Sequence, residues 1–431
     1  MRENFGIRPL GLGREVEAIK LEDMRRFTYL LGIVLLAAAC REDEPVVQPT
    51  VTQLPTDNEG GVTPTPGTDP ADSTATDSLP TTTYLGLYVL CEGNMGSNKA
   101  TLDYLDLQSG QYMKNIFPSR NPQKVMELGD VGNDAQIYGS RLWLVVNCSN
   151  KVEVCDARTT RSIGQVDVPN CRYVCFDGGY AYVSSYVGPV PQYGGDNESR
   201  LGEVYKIDTL SLQVVDRCTV GYQPDELCVS GGKLYVANSG GYQPFLGHDY
   251  DYTVSQIDLA TFREERKIRV APNLFRIKAD SRGQLWVSSR GVDDDDDPIP
   301  SRLYRLVPDA RGQMQLEDSV DQVVTDFDIV GDTLYYCGAQ AQKNHMARYY
   351  GKVDVRTAQL LSTQLLVENG SWRIQTPYGI KVHPQTGDLY LMDATNYVSS
   401  GYLNCFDRQG RFKWSVATGD IPGHACWLTN Q

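Results

Sequence analysis

Leu234-Tyr235-Val236 is one copy of a pattern that recurs as Leu87-Tyr88-Val89, Leu142-Trp143-Leu144, Ala181-Tyr182-Val183, Leu285-Trp286-Val287, Leu334-Tyr335-Tyr336 and Leu389-Tyr390-Leu391. The central aromatics stand 39 to 55 residues apart. Such a period, with several short strands in each unit, is the mark of a β-propeller. Downstream of most copies lies a second strand that ends in Asp: Val152-Glu153-Val154-Cys155-Asp156, Val204-Tyr205-Lys206-Ile207-Asp208 and Val254-Ser255-Gln256-Ile257-Asp258. A terminal Asp suits the hairpin into the outermost strand of a blade. The fifth unit departs, with its Asp displaced to Asp309. No stretch sustains a 3.6-residue period with caps, so helices do not compete.

Six units carry an innermost strand before the aromatic motif, as in Pro224-Asp225-Glu226-Leu227-Cys228-Val229. Before Leu87 there is none, and the missing strand stands at the far end as Pro422-Gly423-His424-Ala425-Cys426-Trp427. The prediction is an all-β, seven-bladed β-propeller closed by a C-terminal strand that completes the first blade. Closure removes the sheet edge that an open array would expose. A length of 431 residues, which by size alone suggests about three domains, reduces to one ring at 84–431.

Aligning the innermost strands gives equivalent positions Gln136, Cys175, Cys228, Lys278, Asp328, Lys381 and Cys426. Two residues earlier stand Asp134, Tyr173, Glu226, Arg276, Asp326, Gly379 and His424. Alternation puts both sets on the central channel and sends Leu227, Ile277, Phe327 and Ile380 into blade packing. Three cysteines at one equivalent position read as small strand residues, not as bridge partners. Cysteine and histidine spacings match no zinc site.

The N-terminus gives an address. Arg25-Arg26 precede an apolar run from Phe27 to Ala39, which ends in Leu36-Ala37-Ala38-Ala39-Cys40. The run is too short to span a bilayer and has the parts of a secretory signal. Its end resembles a bacterial lipobox, so residues 1–39 read as a signal peptide, with 1–23 a mis-started extension. Cys40 becomes the lipidated N-terminus. Arg41-Glu42-Asp43-Glu44 resembles the surface-export signal of Bacteroidetes lipoproteins. Pro, Thr, Asp and Gly dominate from there, so 40–83 reads as a lipid-anchored, disordered linker. Localisation is then the outer membrane, lipid-anchored and exposed at the cell surface.

Forty Lys and Arg against 54 Asp and Glu, net −14, exclude a nucleic-acid binder. A mean hydropathy of −0.36 excludes a multi-pass membrane protein. The 26 Tyr against 10 Phe and 5 Trp have two sources: the repeated strand position that builds the blades, and the long loops of one propeller face, where function is expected. The candidate ligand-binding residues are Tyr186, Tyr222, Asn238, Tyr242, Tyr252, Phe275, Arg290, Trp372, Tyr378 and Tyr397. Aromatic rims with interspersed polar groups suit a large, partly apolar ligand bearing amides, or a protein partner. Catalytic signals are thin: His248, His345, His383 and His424 are scattered, and no nucleophile–base pair shows in the spacing. The run Asp293–Asp297 lacks the alternation of a calcium loop and reads as a solvated acidic loop. No catalytic residue, metal or cofactor is therefore assigned.

Two regions resemble a known family. Val89-Leu90-Cys91-Glu92-Gly93-Asn94-Met95-Gly96-Ser97-Asn98-Lys99-Ala100-Thr101-Leu102 is similar to the opening blade of YncE-like surface lipoproteins of Bacteroidetes. Pro377-Tyr378-Gly379-Ile380, Gly387-Asp388-Leu389-Tyr390, Asp393-Ala394 and Thr418-Gly419-Asp420-Ile421-Pro422-Gly423-His424 resemble its last blade. Cys91 stands where the family usually has asparagine. The BtuG-type members capture cobalamin and cap a BtuB-type TonB-dependent transporter. The resemblance implies the same here: a corrinoid ligand, that transporter as partner, and contact with the membrane only through the lipid. The alternatives are a capping propeller for other cargo (haem or a glycan), a protein–protein adhesion module, and a propeller hydrolase or lyase.

Overall fold

The computed structural model describes residues 48–55, 82–124, 127–188, 200–241, 247–293, 297–343, 345–370 and 372–430. The stretch read as a signal peptide (1–39), Cys40, the acidic tetrad 41–44, most of the stretch read as a linker, Tyr242 and the centre of the 293–297 run lie outside them.

Seven antiparallel sheets form the ring. Blades 2 to 7 begin with innermost strands Gly132–Tyr138, Cys171–Asp177, Pro224–Ser230, Leu274–Ala279, Asp326–Val330 and Pro377–Val382. Each is followed outward by three more strands in chain order. Blade 1 takes its innermost strand from the C-terminus: Pro422–Thr429 pairs with Tyr84–Cys91. The predicted closure is therefore present.

The recurring triplet is explained by where its residues go. Each lies on the second strand, and alternation sends its centre and its flanks to opposite faces of the blade. Trp143 packs between blades 2 and 3, while Leu142 and Leu144 pack between blades 1 and 2. Tyr235 enters the seam between blades 4 and 5, and Leu234 and Val236 the one between 3 and 4. One apolar cluster fills each of the seven seams. Leu227, Ile277, Phe327 and Ile380 join them as expected.

The terminal aspartates act as turn formers. Asp106, Asp156, Asp208, Asp258, Asp309, Asp354 and Asp407 each accept a backbone N–H two or three residues on. Asp309 does this despite its displacement, so the fifth blade keeps the device.

One stretch departs from the expected unstructured linker. Val51–Gln53 pairs with Gln111–Met113 as a fifth strand on the outer edge of blade 1. Leu54 is 5% exposed and packs with Tyr112, Tyr390 and Trp414 in the seam between blades 7 and 1. One buried leucine and a short edge strand thus anchor the chain. Cys91, Cys148, Cys155, Cys171, Cys175, Cys218, Cys228, Cys337, Cys405 and Cys426 are free thiols. Among the described residues no helix is long and apolar enough to cross a membrane.

Candidate functional site

Six of the seven innermost strands carry an irregularity at the end where they enter the ring. Pro224 pairs with Asn238 and Leu227 with Val236, so Asp225 and Glu226 together face one residue. Phe275 and Arg276 do the same in blade 5, and Arg172 and Tyr173 in blade 3. Asn133, Tyr378 and Gly423 are the extra residues in blades 2, 7 and 1. A bulge bends its strand and re-aims side chains. Here it re-aims one or two side chains at this end of the ring, its mouth, in blades 2, 3, 4, 5 and 7, while Gly423, the extra residue of blade 1, has none.

The freed N–H groups are satisfied between and within blades. Asp134 accepts from Val174 N at 3.0 Å, Glu226 from Ile277 N at 2.7 Å, and Asp326 from Ile380 N at 3.1 Å. In each case the carboxylate of an even-numbered blade serves the equivalent residue of the next. Within blades 3 and 5, Ser184 and Ser288 accept from Tyr173 N and Arg276 N.

Asp225 is the hub on one side of the mouth. Its side chain is 0% exposed. It accepts from Tyr186 Oη at 2.6 Å, Arg172 Nε at 3.3 Å and Arg290 Nη1 at 3.4 Å. The Arg172 guanidinium lies over the Tyr186 ring, and that of Arg290 stacks 3.5 Å from the Phe275 centroid. Arg276 covers the rings of Phe275 and Tyr173. Tyr173 meets His424 edge-on.

On the other side Glu92 Oε1 accepts from Tyr378 Oη at 2.9 Å and lies 3.3 Å from His424 Nε2. Tyr378 packs edge-on against Tyr397 at 5.5 Å. Burial, reinforced by Glu92, pushes the phenols of both tyrosines up, that of Tyr397 to about 12. Both stay neutral donors across the physiological range.

Deeper in the channel Asp326 binds Arg276 at 3.3 Å and Lys278 at 3.2 Å, and Asp328 binds Lys381 at 3.1 Å. Lys278 also donates to the Phe327 carbonyl. Burial pushes the carboxyl of Glu226 up to about 7; Lys278 and Arg276 oppose this, while Asp326 and Asp134 add to it. Groups of blades 2, 4, 5 and 6 thus feel one another's charge, which places the aligned polar positions on a common channel.

Of the residues selected from sequence, Tyr186, Phe275, Arg290, Tyr378 and Tyr397 gather at this mouth. Tyr222 stacks on His248 at 4.1 Å. The ring of Tyr252 is covered by Arg269. Two further candidates are engaged within the fold. Asn238 is buried, its amide spent on Gly221, Thr253 and Ser255 inside blade 4. Trp372 donates to the Val367 carbonyl and packs on Phe406, filling the seam between blades 6 and 7. Arg172, Asp225 and Glu92 escape a reading that looks to loops and passes over strand starts. Their signal lies one residue before the aligned channel positions (Arg172, Asp225) and in the first-blade motif (Glu92).

No protein-family model and no curated protein sequence matches the chain. Solved structures do. A quinonprotein alcohol dehydrogenase-like protein of Bacteroides thetaiotaomicron shares 12% identity at a TM-score of 0.52, over 80% of this chain and 79% of that one. The periplasmic gluconolactonase of Pseudomonas aeruginosa shares 12% identity at 0.52, over 79% of this chain and 99% of that one. These likenesses establish the propeller fold.

Proposed function

We propose that this protein captures a corrinoid such as cobalamin at the cell surface, leaves it chemically unchanged, and hands it to a BtuB-type TonB-dependent outer-membrane transporter. The carrying observation is where the family-like stretches meet. Glu92 belongs to the motif at 89–102, Tyr378 to that at 377–380 and His424 to that at 418–424. Two contacts to one carboxylate oxygen join the three. Three residues behind the resemblance therefore meet in one wall of the mouth, while others of the same stretches, such as Leu102, Ile380 and Tyr390, pack between blades. A corrin ring has broad apolar faces edged by amides. Tyr378 and Tyr397 offer apolar area, and the mouth's polar groups can answer the amides. The lipid on Cys40 would hold the propeller at the outer membrane.

Calorimetric titration of the purified protein with cyanocobalamin tests the reading. Saturable one-to-one binding is expected; none at about 100 µM ligand, a limit weaker than about −5 kcal/mol, overturns it. Haem or glycan binding in its place would reassign the cargo.

Hydrolysis is a second reading with one observation in its favour: His424 and Glu92 form a histidine–carboxylate contact at the mouth. Lactone hydrolysis, the activity in the gluconolactonase's name, gives a direct assay. Turnover abolished by His424→Ala would support it, and no turnover above background would remove it.

A further inference from the structure

Blade 6 is built unlike the others. Its second and third strands, Thr333–Gln342 and His345–Asp354, have ten residues each, whereas its fourth, Leu360–Ser362, has three. Asp326 pairs with Cys337, so Gly338–Gln342 and its partner His345–Tyr349 run beyond the start of the innermost strand, at the mouth end. The fourth strand reaches only to Lys352, which pairs with Ser362. In blades 2, 3, 4, 5 and 7 the third strand is paired outward to within one residue of its start. In blade 1, whose fourth strand is also three residues long, Ile116–Arg120 lies against the third strand. In blade 6 the chain instead turns away after Ser362, and Leu365 and Leu366 sink into the seam between blades 6 and 7. His345–Gly351 is left without an outer neighbour strand over about 24 Å, at about 3.4 Å per residue.

The backbone groups on that edge can be identified. Asp354 N donates to the Gln359 carbonyl and Ala358 N to the Asp354 carbonyl, so Asp354 faces outward. Alternation turns the N–H and C=O groups of Tyr350, Arg348 and Met346 the same way. Among the described residues none of these has a backbone partner. They stand along a cavity of about 620 Å³. Gln322 and Tyr349 line it toward blade 5, and Tyr350, Leu365 and Leu366 toward blade 7. Arg348 and Glu368 both border it, so net charge does not select the occupant. A row of donors and acceptors at two-residue spacing is the complement of another extended backbone. The chain already pairs in this way on blade 1, where Val51–Gln53 adds to Gln111–Met113.

We propose that the His345–Gly351 edge is a docking site for an extended segment of a partner protein, which adds there as the missing part of the fourth strand. The site uses none of the cargo contacts and stands independently of the capture reading. Side chains of the segment alternate between the two walls, apolar toward Leu365 and Leu366 and polar toward Gln322. A second copy of the chain fits less well. Twofold pairing centred on the edge sets Arg348 directly against Arg348, and each guanidinium is held by the Ile374 carbonyl at 2.7 Å.

The probe is an acetylated and amidated peptide copying Met314–Val320, the fourth strand of blade 5. The intact protein should bind it with a Kd below about 100 µM. On saturation, amide hydrogen exchange at Met346, Arg348 and Tyr350 should slow about tenfold or more, with other blade edges unchanged. Met346→Pro removes one outward N–H, at an edge position where proline is tolerated. It should weaken the peptide about tenfold or more, whereas Met346→Ala should stay within about threefold. An unfolding midpoint within about 2 °C of wild type shows that the proline variant folds; if it does not, exchange in the wild type decides alone. No binding at about 1 mM peptide, protection confined to another edge, or equal weakening by the two variants overturns the site. Self-association that protects the same amides without peptide makes a second copy the occupant and overturns the partner assignment.

Discussion

Glu226→Gln should stabilise the protein at alkaline pH and change little at acid pH. Glu226 is enclosed in the channel, and burial raises its carboxyl from the ordinary 4.5 to about 7. Below 4.5 it is protonated in both folded and unfolded chains, and the folded state carries no penalty. Above 7 it is ionised in both, and only the folded chain holds that charge away from water. Its stabilising share is therefore complete below about 4.5 and is lost as pH rises through about 7. A tenfold change in an ionisation constant is worth about 1.4 kcal/mol, so the full penalty is of order 3 kcal/mol.

Glutamine keeps an oxygen able to accept from Ile277 N, the 2.7 Å bond that joins blades 4 and 5, and removes the charge. Guanidinium chloride unfolding of wild type and variant at about pH 5 and about pH 8 makes the comparison. Between those conditions the variant should gain about 2–3 kcal/mol on the wild type. A gain that does not depend on pH would refute the reasoning. A loss that grows with pH would mean that Arg276 and Lys278 hold Glu226 ionised and the burial argument is wrong.

Asp326→Asn should behave in the opposite sense. Burial pushes this carboxyl up, but Lys278, Arg276 and the Ile380 N–H outweigh it and hold it below its ordinary value. Its contribution is present above that value and is lost as pH falls through the lowered one. The variant should lose about 3 kcal/mol at neutral pH and converge with wild type in acid, by the same unfolding assay. Leu54→Ala empties an anchor in the seam between blades 7 and 1; it should cost about 2 kcal/mol and open 48–55 to limited proteolysis. Gly423→Ala places a methyl 2.9 Å from Tyr378 Cε1 and 3.1 Å from Glu92 Oε1. Cyanocobalamin affinity should fall about tenfold or more, with a Tm loss of about 2–4 °C; a Tm loss with affinity intact would separate this wall from the ligand.

Blade number and closure were legible because they depend on what repeats. Tyr88 and its counterparts sit at the same depth of every second strand, and each terminal Asp makes the same local turn. The mouth was legible only in part, because it depends on what does not repeat. A bulge leaves no mark in composition, and without it Asp225 reads as an ordinary alternating strand residue. Glu92 meets residues 286 and 332 positions away, a pairing that exists only once the ring closes. Asn238 and Trp372 were chosen for residue type within loop-like stretches. One backbone N–H and two side-chain hydroxyls already claim the first, and apolar area the second. Leu54 was hidden by its neighbours, since one buried leucine does not alter the composition of a long polar stretch.

The bulges that aim the side chains also explain how the mouth is held open and rigid. Every joint of the ring carries a polar link near the channel. Gly132 N donates to the Glu92 carbonyl between blades 1 and 2, and Val174 N to Asp134 between 2 and 3. Arg172 pairs with Asp225 between 3 and 4, and Ile277 N donates to Glu226 between 4 and 5. Arg276 and Lys278 pair with Asp326 between 5 and 6. Ile380 N and Val382 N donate to Asp326 and Asp328 between 6 and 7. Tyr378 donates to Glu92 between 7 and 1. Most of the charged groups at the mouth are thus spent on the hoop, which leaves the exposed part of Arg290, besides its Asp225 contact, and the rings of Tyr378 and Tyr397 to face a ligand from blades 5 and 7. Arg290 and Tyr397 stand on loops just beyond Leu285–Ser289 and Leu389–Asp393, so bracing by the hoop removes only part of the ordering cost of binding. A ligand bridging Arg290 and Tyr397 would also span blade 6 and reinforce the hoop from inside, coupling occupancy to the stability of the ring.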